Sequence, residues 1–121
     1  MYAECTRPEP SPMPAADERH PLRYAVAFDD ADTAVIRLAG DLDGAGALAL
    51  GEALAACAMV GIEHFEIDAT QVSFADSHGV RRLAHHAADV RQRGGRLRVT
   101  GSSRALQRVL ELTGLATALT H

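Results

Sequence analysis

Phe65-Glu66-Ile67-Asp68-Ala69-Thr70-Gln71-Val72-Ser73-Phe74-Ala75-Asp76-Ser77-His78-Gly79-Val80 is the stretch that decides the architecture. Ile62 to Ala69 reads as a strand with Phe65 and Ile67 turned inward, and Val72 and Phe74 continue the apolar pattern beyond it. The tight polar group Asp76-Ser77-His78-Gly79 follows, and then Val80, Leu83, Ala84, Ala87 and Val90 recur at helical spacing. A strand therefore hands over to a helix across this polar group. Gly94-Gly95 stops that helix ahead of a second strand, Arg96 to Thr100. Two strands joined by a helix lie parallel in one sheet, because the helix must cross back over the sheet before the second strand begins.

Upstream, Tyr24, Val26 and Phe28 alternate with small residues. A polar break at Asp29, Asp30, Ala31 and Asp32 leads into Ala34-Val35-Ile36-Arg37-Leu38-Ala39, which predicts a β-hairpin. After Gly40-Asp41-Leu42-Asp43-Gly44, the positions Ala47, Leu50, Leu54, Cys57 and Ala58 predict a helix that buries one face, with Gly61 as its stop. Downstream, Ser102 or Ser103 can cap a third helix carrying Leu106, Val109 and Leu110. Gly114 ends it, and Leu115 to Leu119 form a last short packing segment. The order is that of an α/β layer fold, with no internal repeat.

At 121 residues there is room for one domain with a core of its own. All five prolines fall in the first 21 residues among Ser, Glu and Arg. That composition cannot bury an apolar face, so residues 1–22 are expected to form a disordered tail and residues 23–121 the domain. No basic segment leads into an apolar run at the N-terminus, and no apolar stretch is long enough to span a bilayer. With only two cysteines, Cys5 and Cys57, these features predict a cytoplasmic protein with neither a membrane partner nor a disulfide framework. A formal charge of −4 and a 4% aromatic content argue against nucleic acid and against a small-molecule substrate held in an aromatic pocket.

Four patterns that resemble active sites have plainer readings. Gly44-Ala45-Gly46-Ala47-Leu48-Ala49 spells a dinucleotide fingerprint, with Asp68 downstream as a ribose ligand. Asp41 and Asp43, however, would repel a pyrophosphate approaching the helix, so no cofactor is expected and the glycines are read as flexibility where the helix begins. Asp76, Ser77 and His78 contain the residue types of a hydrolase triad, but sequence neighbours cannot align as nucleophile, base and orienting acid; no enzyme is expected. His85, His86 and Asp89 suggest a metal, yet adjacent histidines on a helix diverge, and a solvated face with no metal is the expectation. Arg91, Arg93, Arg96 and Arg98 are balanced by Glu63, Glu66 and Asp89 and define no anion site. Ser77 stands apart: its hydroxyl can cap a helix beginning near Gly79, and a phosphoryl group there would leave the fold intact while changing the surface beside Asp76.

From Tyr24 to Leu119 the sequence resembles the STAS domain of bacterial anti-sigma factor antagonists, and four blocks carry the resemblance. These are Ile36-Arg37-Leu38-Ala39-Gly40-Asp41-Leu42-Asp43, similar to the family's Gly-x-Leu-Asp strand end; Phe65 to Val80, similar to its central strand and Asp-Ser-x-Gly phosphoacceptor loop; Gly94-Gly95-Arg96-Leu97-Arg98-Val99; and Arg104 to Leu115. The resemblance implies a mixed sheet of four to five strands with helices packed mainly on one side. It also implies partner switching. The unphosphorylated protein binds an anti-sigma factor serine kinase and so releases a sigma factor; the kinase silences it by phosphorylating Ser77, and a PP2C-type phosphatase restores it. Asp43, Asp76, Ser77, His78 and Gly79 become the expected partner-binding residues. His78 stands where the family more often has a second Ser or Thr, and Gly44-Ala45-Gly46 replaces a small hydroxyl residue often found after Asp43. The alternative is a phosphorylation-independent STAS scaffold in a transporter-associated or stressosome-like assembly, where Ser77 is only a helix cap.

Overall fold

The computed structural model describes residues 20–120. Its elements follow as β1 (Arg23–Asp30), β2 (Thr33–Leu42), α1 (Gly44–Met59), β3 (His64–Ala75), α2 (Ser77–Gln92), β4 (Arg96–Ser102), α3 (Arg104–Thr113) and α4 (Ala116–Thr120). The strands form one sheet in the order β1-β2-β3-β4. β1 runs antiparallel to β2, while β2, β3 and β4 are mutually parallel. The expected hairpin and parallel pairing are both present, and the sheet is mixed with four strands.

The hairpin turn is held by its own aspartates. The Asp32 N–H donates to the Asp30 carboxylate at 3.1 Å, and the Thr33 hydroxyl donates to Asp32 at 3.1 Å. The Asp32 N–H is also the main reason that the Asp30 carboxyl is held below its ordinary value.

One face of the sheet is apolar and carries the helices. Ala34, Ile36 and Leu38 of β2, Phe65 and Ile67 of β3, and Leu97 and Val99 of β4 are buried against Ala47, Leu50 and Leu54 of α1 and Val80, Leu83 and Ala87 of α2. The alternate residues Arg37, Glu66, Asp68 and Arg98 lie outside this core, so the opposite face is polar over these strands apart from small or aliphatic residues such as Val35 and Ala39 of β2. α3 is capped by Ser103, whose hydroxyl accepts the Leu106 N–H at 3.1 Å, which settles the choice between Ser102 and Ser103. Gly114 ends α3 at φ 75°, a left-handed conformation open to glycine. Leu106 and Leu110 anchor α3, and Leu119 of the final short segment is fully buried. Each fully buried leucine contributes about 1.5–3 kcal/mol toward holding the C-terminal helices against the sheet.

The central strand differs from the sequence reading. β3 is one strand of 12 residues that takes in Val72 and Phe74, where the strand was expected over Ile62 to Ala69 with the apolar pattern continuing beyond it. An irregularity keeps it continuous: the Asp68 carboxylate accepts the Thr70 hydroxyl at 2.8 Å and the Thr70 N–H at 3.1 Å, and the pairing with β2 shifts between Arg37 and Ala39. The inward set consequently changes parity, from Phe65, Ile67 and Ala69 to Val72. Those two bonds, the hydroxyl first, also hold the Asp68 carboxyl below its ordinary value.

Candidate functional site

β2 and β3 end in register, Leu42 beside Ala75, so the next residues, Asp43 and Asp76, begin two neighbouring helices. Both aspartates are extended and both are N-caps: Asp43 accepts the Gly46 N–H and Asp76 the Gly79 N–H, each at 2.8 Å. A carboxylate suits that position because the first N–H groups of a helix lack partners and its N-terminus is electropositive. The Asp76 N–H donates to the Leu42 carbonyl at 3.3 Å, joining the two strand ends. In each Asp-x-x-Gly unit the glycine permits close approach. A Cβ on Gly46 would lie 2.6 Å from the Asp41 carbonyl oxygen, and one on Gly79 would lie 2.7 Å from the Leu42 carbonyl carbon and closer still to its oxygen. The Gly46 reading is therefore corrected: tight packing, not flexibility, requires glycine there.

Ahead of this corner, Asp41 is buried at 3% exposure and ties down the incoming chain. Its N–H donates to the His20 carbonyl at 3.0 Å, and its carboxylate accepts the His20 N–H at 3.1 Å. The expected tail through residue 22 falls on residues 1–19, which lie outside the described residues, and on residues 20–22, of which His20 is bonded to Asp41 and Leu22 packs against the core. Sequence reading took Asp41 only as a charge facing the helix start and missed its buried anchoring of His20, which no alternation in the strand indicates.

Ser77 is the first residue of α2, exposed, and its hydroxyl makes no hydrogen bond with the described residues. The expectation that Ser77 caps the helix is thus corrected. α2 starts two residues earlier than Gly79, and the carboxylate of Asp76 takes the N–H that a capping serine would have taken. His78 is exposed beside Ser77, and Gly79 is buried. The five expected partner residues do converge: Asp43 and Asp76 shape the corner from beneath, and Ser77 and His78 present side chains to solvent.

From this corner a groove of about 660 Å³ runs along α2, lined by Gly44, Asp76, His78, Arg81, Arg82, His85, His86 and Asp89. Its floor is fixed by a contact that corrects the solvated-face reading of His86. This ring is half-buried, with Nε2 2.9 Å from the Ala47 carbonyl, and packs so closely on Gly51 that a Cβ there would lie 2.6 Å from Nε2. The small residues of α1 let α2 approach and lodge this ring, which no periodicity in α2 alone could indicate. His85 and Asp89 do not join it as a metal cluster. Among the described residues the ligand atoms close enough to share an ion belong to Asp32, Glu63 and His64, within 4.8 Å of one another at the far end of the sheet. The arginines of this region are dispersed: Arg91 donates to the Ala118 carbonyl at 3.2 Å, whereas Arg96 and Arg98 line a separate recess with His64 and Glu66. Burial of Cys57 raises its thiol above the ordinary value, away from thiolate chemistry.

The family model described as Mlab, STAS domain matches residues 26–121, nearly the whole described domain. The chain belongs to the STAS domain family. An anti-sigma factor antagonist from Mycobacterium paratuberculosis is 26% identical, with a TM-score of 0.69 over 88% of this chain and 87% of that one. The unphosphorylated form of the anti-sigma factor antagonist SpoIIAA superposes with a TM-score of 0.68 at 20% identity, over 81% of this chain and 86% of its own. The phosphorylated form of SpoIIAA, described as a Bacillus cell fate determinant, gives 0.63 at 20% identity over 81% and 89%. The two SpoIIAA structures show the shared STAS fold. In the STAS domain described here, the paired helix starts stand at the C-terminal edge of the parallel strands, where α/β sheets commonly place their sites.

Proposed function

We propose that this STAS domain is an anti-sigma factor antagonist, a cytoplasmic binding protein without catalytic activity, and that it is switched by phosphorylation of Ser77. One observation carries the reading. The Ser77 hydroxyl is exposed and makes no hydrogen bond with the described residues, on the first turn of a helix whose cap is supplied by another residue, Asp76. Modification therefore disturbs no bond that holds the fold, and the electropositive helix start tolerates an anion. A scaffold in which Ser77 serves only as a cap loses its reason for a serine at this position.

In the proposed cycle the unmodified corner, with Asp43, Asp76, Ser77, His78 and Gly79, docks on a kinase-type anti-sigma factor, which then releases its sigma factor. The kinase transfers the γ-phosphoryl group of ATP to the Ser77 Oγ. The O–P bond to the serine forms as the bond between the β- and γ-phosphates breaks, ADP leaves, and the hydroxyl proton passes to solvent. A PP2C-type phosphatase reverses the state by hydrolysis, water attacking phosphorus and the serine oxygen departing with a proton. The added charge of about −1.5 to −2 repels an acidic surface docked at the corner. Among the described residues no helix is long and apolar enough to cross a membrane, which is compatible with a partner met in the cytoplasm.

Peptide mass spectrometry after incubation with ATP and a kinase-type anti-sigma factor from the same genome tests the reading, with Ser77→Ala as control. One phosphoryl group on the Ser77 peptide, absent from the control, is expected. A partner that binds while Ser77 stays unmodified would transfer support to the phosphorylation-independent scaffold.

A further inference from the structure

Ser77 and Arg81 are four residues apart on α2, one turn along the same ridge, where side chains can meet. Arg81 borders both the groove described above and a shallower hollow of about 250 Å³ formed with Ala84, His85, Ala88 and Leu115. Arg81 and Arg82 are exposed, and neither guanidinium has a hydrogen bond or ion pair with a described residue. The charged and titratable groups around Ser77 are Asp76 beside it, Asp43 at the neighbouring helix start, and His78, Arg81, Arg82 and His85 down α2. Both carboxylates already accept a capping N–H. A phosphoryl group on Ser77 would add a charge of about −1.5 to −2 beside them. Within one turn downstream the basic side chains are His78 and Arg81, and Arg81 is always charged. Its placement, acid first and base four residues later, is the favourable order on a helix.

We propose that Arg81 is the intramolecular counter-ion of phosphorylated Ser77, so that modification withdraws a cation from the partner-facing groove in the same step that adds negative charge. Unmodified, the Arg81 guanidinium is free to meet a carboxylate of the partner. Phosphorylated, it turns back one helical turn and forms charge-assisted hydrogen bonds with the phosphoryl oxygens. Phosphorylation then weakens an acidic partner's binding in two ways, through repulsion at residue 77 and through loss of Arg81 from the contact surface.

This inference rests on the reading that Ser77 is phosphorylated, but its test does not need the kinase. Phosphoserine is placed at position 77 by genetic encoding, and the second ionisation of its phosphate is followed by phosphorus NMR against pH, with and without Arg81→Gln. A nearby cation favours the dianion, so removing it is expected to raise the midpoint by about 0.2–0.4 of a unit. Arg81→Lys should recover most of that shift. Arg82→Gln, one residue further round the helix, should leave the midpoint in place. Superimposable curves for the phosphoserine protein with and without Arg81→Gln would overturn the proposal. Arg81 is exposed, so the substitution removes no core contact. A kinase that failed to modify Ser77 would sink the proposed function and leave this titration fully readable.

Discussion

Gly79→Ala sets two physical effects against each other, and the structure decides the sign. Helix propensity alone favours alanine over glycine by roughly 1 kcal/mol in a helix interior. The added Cβ, however, would lie 2.7 Å from the Leu42 carbonyl carbon, closer still to its oxygen, and 3.0 Å from the Asp43 carbonyl carbon. These are backbone atoms at the junction of β2 and α1, and no side-chain rotation relieves the overlap. To accommodate the methyl group the start of α2 must lift away. That strains the Gly79 N–H bond to Asp76, a cap worth about 1 kcal/mol, and the overpacking itself costs about 1–3 kcal/mol. The net expectation is a loss of about 1–3 kcal/mol after the propensity gain. At about 4–8 °C per kcal/mol for a domain of this size, the melting temperature should fall by roughly 5–20 °C. Gly44→Ala is the matched control, since its Cβ would meet only the His78 Cβ at 3.9 Å, an ordinary contact. Thermal unfolding followed by circular dichroism should show Gly79→Ala well below wild type and Gly44→Ala near or above it. Equal or raised stability for Gly79→Ala would refute the close-approach explanation of this glycine.

Two further predictions address the aspartates. Asp76→Ala should lower stability by about 1 kcal/mol through loss of the cap, whereas Ser77→Ala should change it by no more than a few tenths. Urea midpoints distinguish them, and a larger loss for Ser77→Ala would restore the serine as the cap. Thr70→Val removes the hydroxyl that chiefly depresses the Asp68 carboxyl and keeps the strand preference of a β-branched residue. Because the folded carboxyl sits below its unfolded value of about 3.9, its stabilisation is present above that pH and lost as pH falls through the folded value. The variant should therefore fall short of wild type near neutrality and converge with it in acid. Carbon NMR titration of Asp68 checks the cause, and an unmoved midpoint would exclude the Thr70 hydroxyl.

Most of the fold could be read from periodicity and stop signals. Tyr24 to Ala39 alternate as a hairpin must, the Val80, Leu83 and Ala87 stripe fixes the inward face of α2, and Gly114 closes α3 in the left-handed conformation that glycine supplies. The misreadings arise because side-chain patterns report which face is buried, and not which polar side chain takes a given bond or how closely two backbones approach. The choice of Ser77 over Asp76 as cap is one case, since both residue types cap well and they are adjacent. A signal was present, because Asp43…Gly46 and Asp76…Gly79 repeat one Asp-x-x-Gly spacing at both helix starts. The anchoring of His86 is another case, as it depends on Gly51 of a different helix. The continuity of β3 depends on Thr70 bonding back to Asp68, which reads locally as a polar break.

Whether charge at Ser77 controls partner binding is measured most directly by titration calorimetry of a kinase-type anti-sigma factor from the same genome. The titrants are the unmodified protein, Ser77→Ala and the protein carrying phosphoserine at 77. Unmodified protein and Ser77→Ala should bind alike, with the phosphorylated form weaker by more than about 1 kcal/mol, the scale of one charge-assisted contact. Equal affinity for the phosphorylated and unmodified forms would contradict the switch and leave a STAS domain whose binding is indifferent to Ser77.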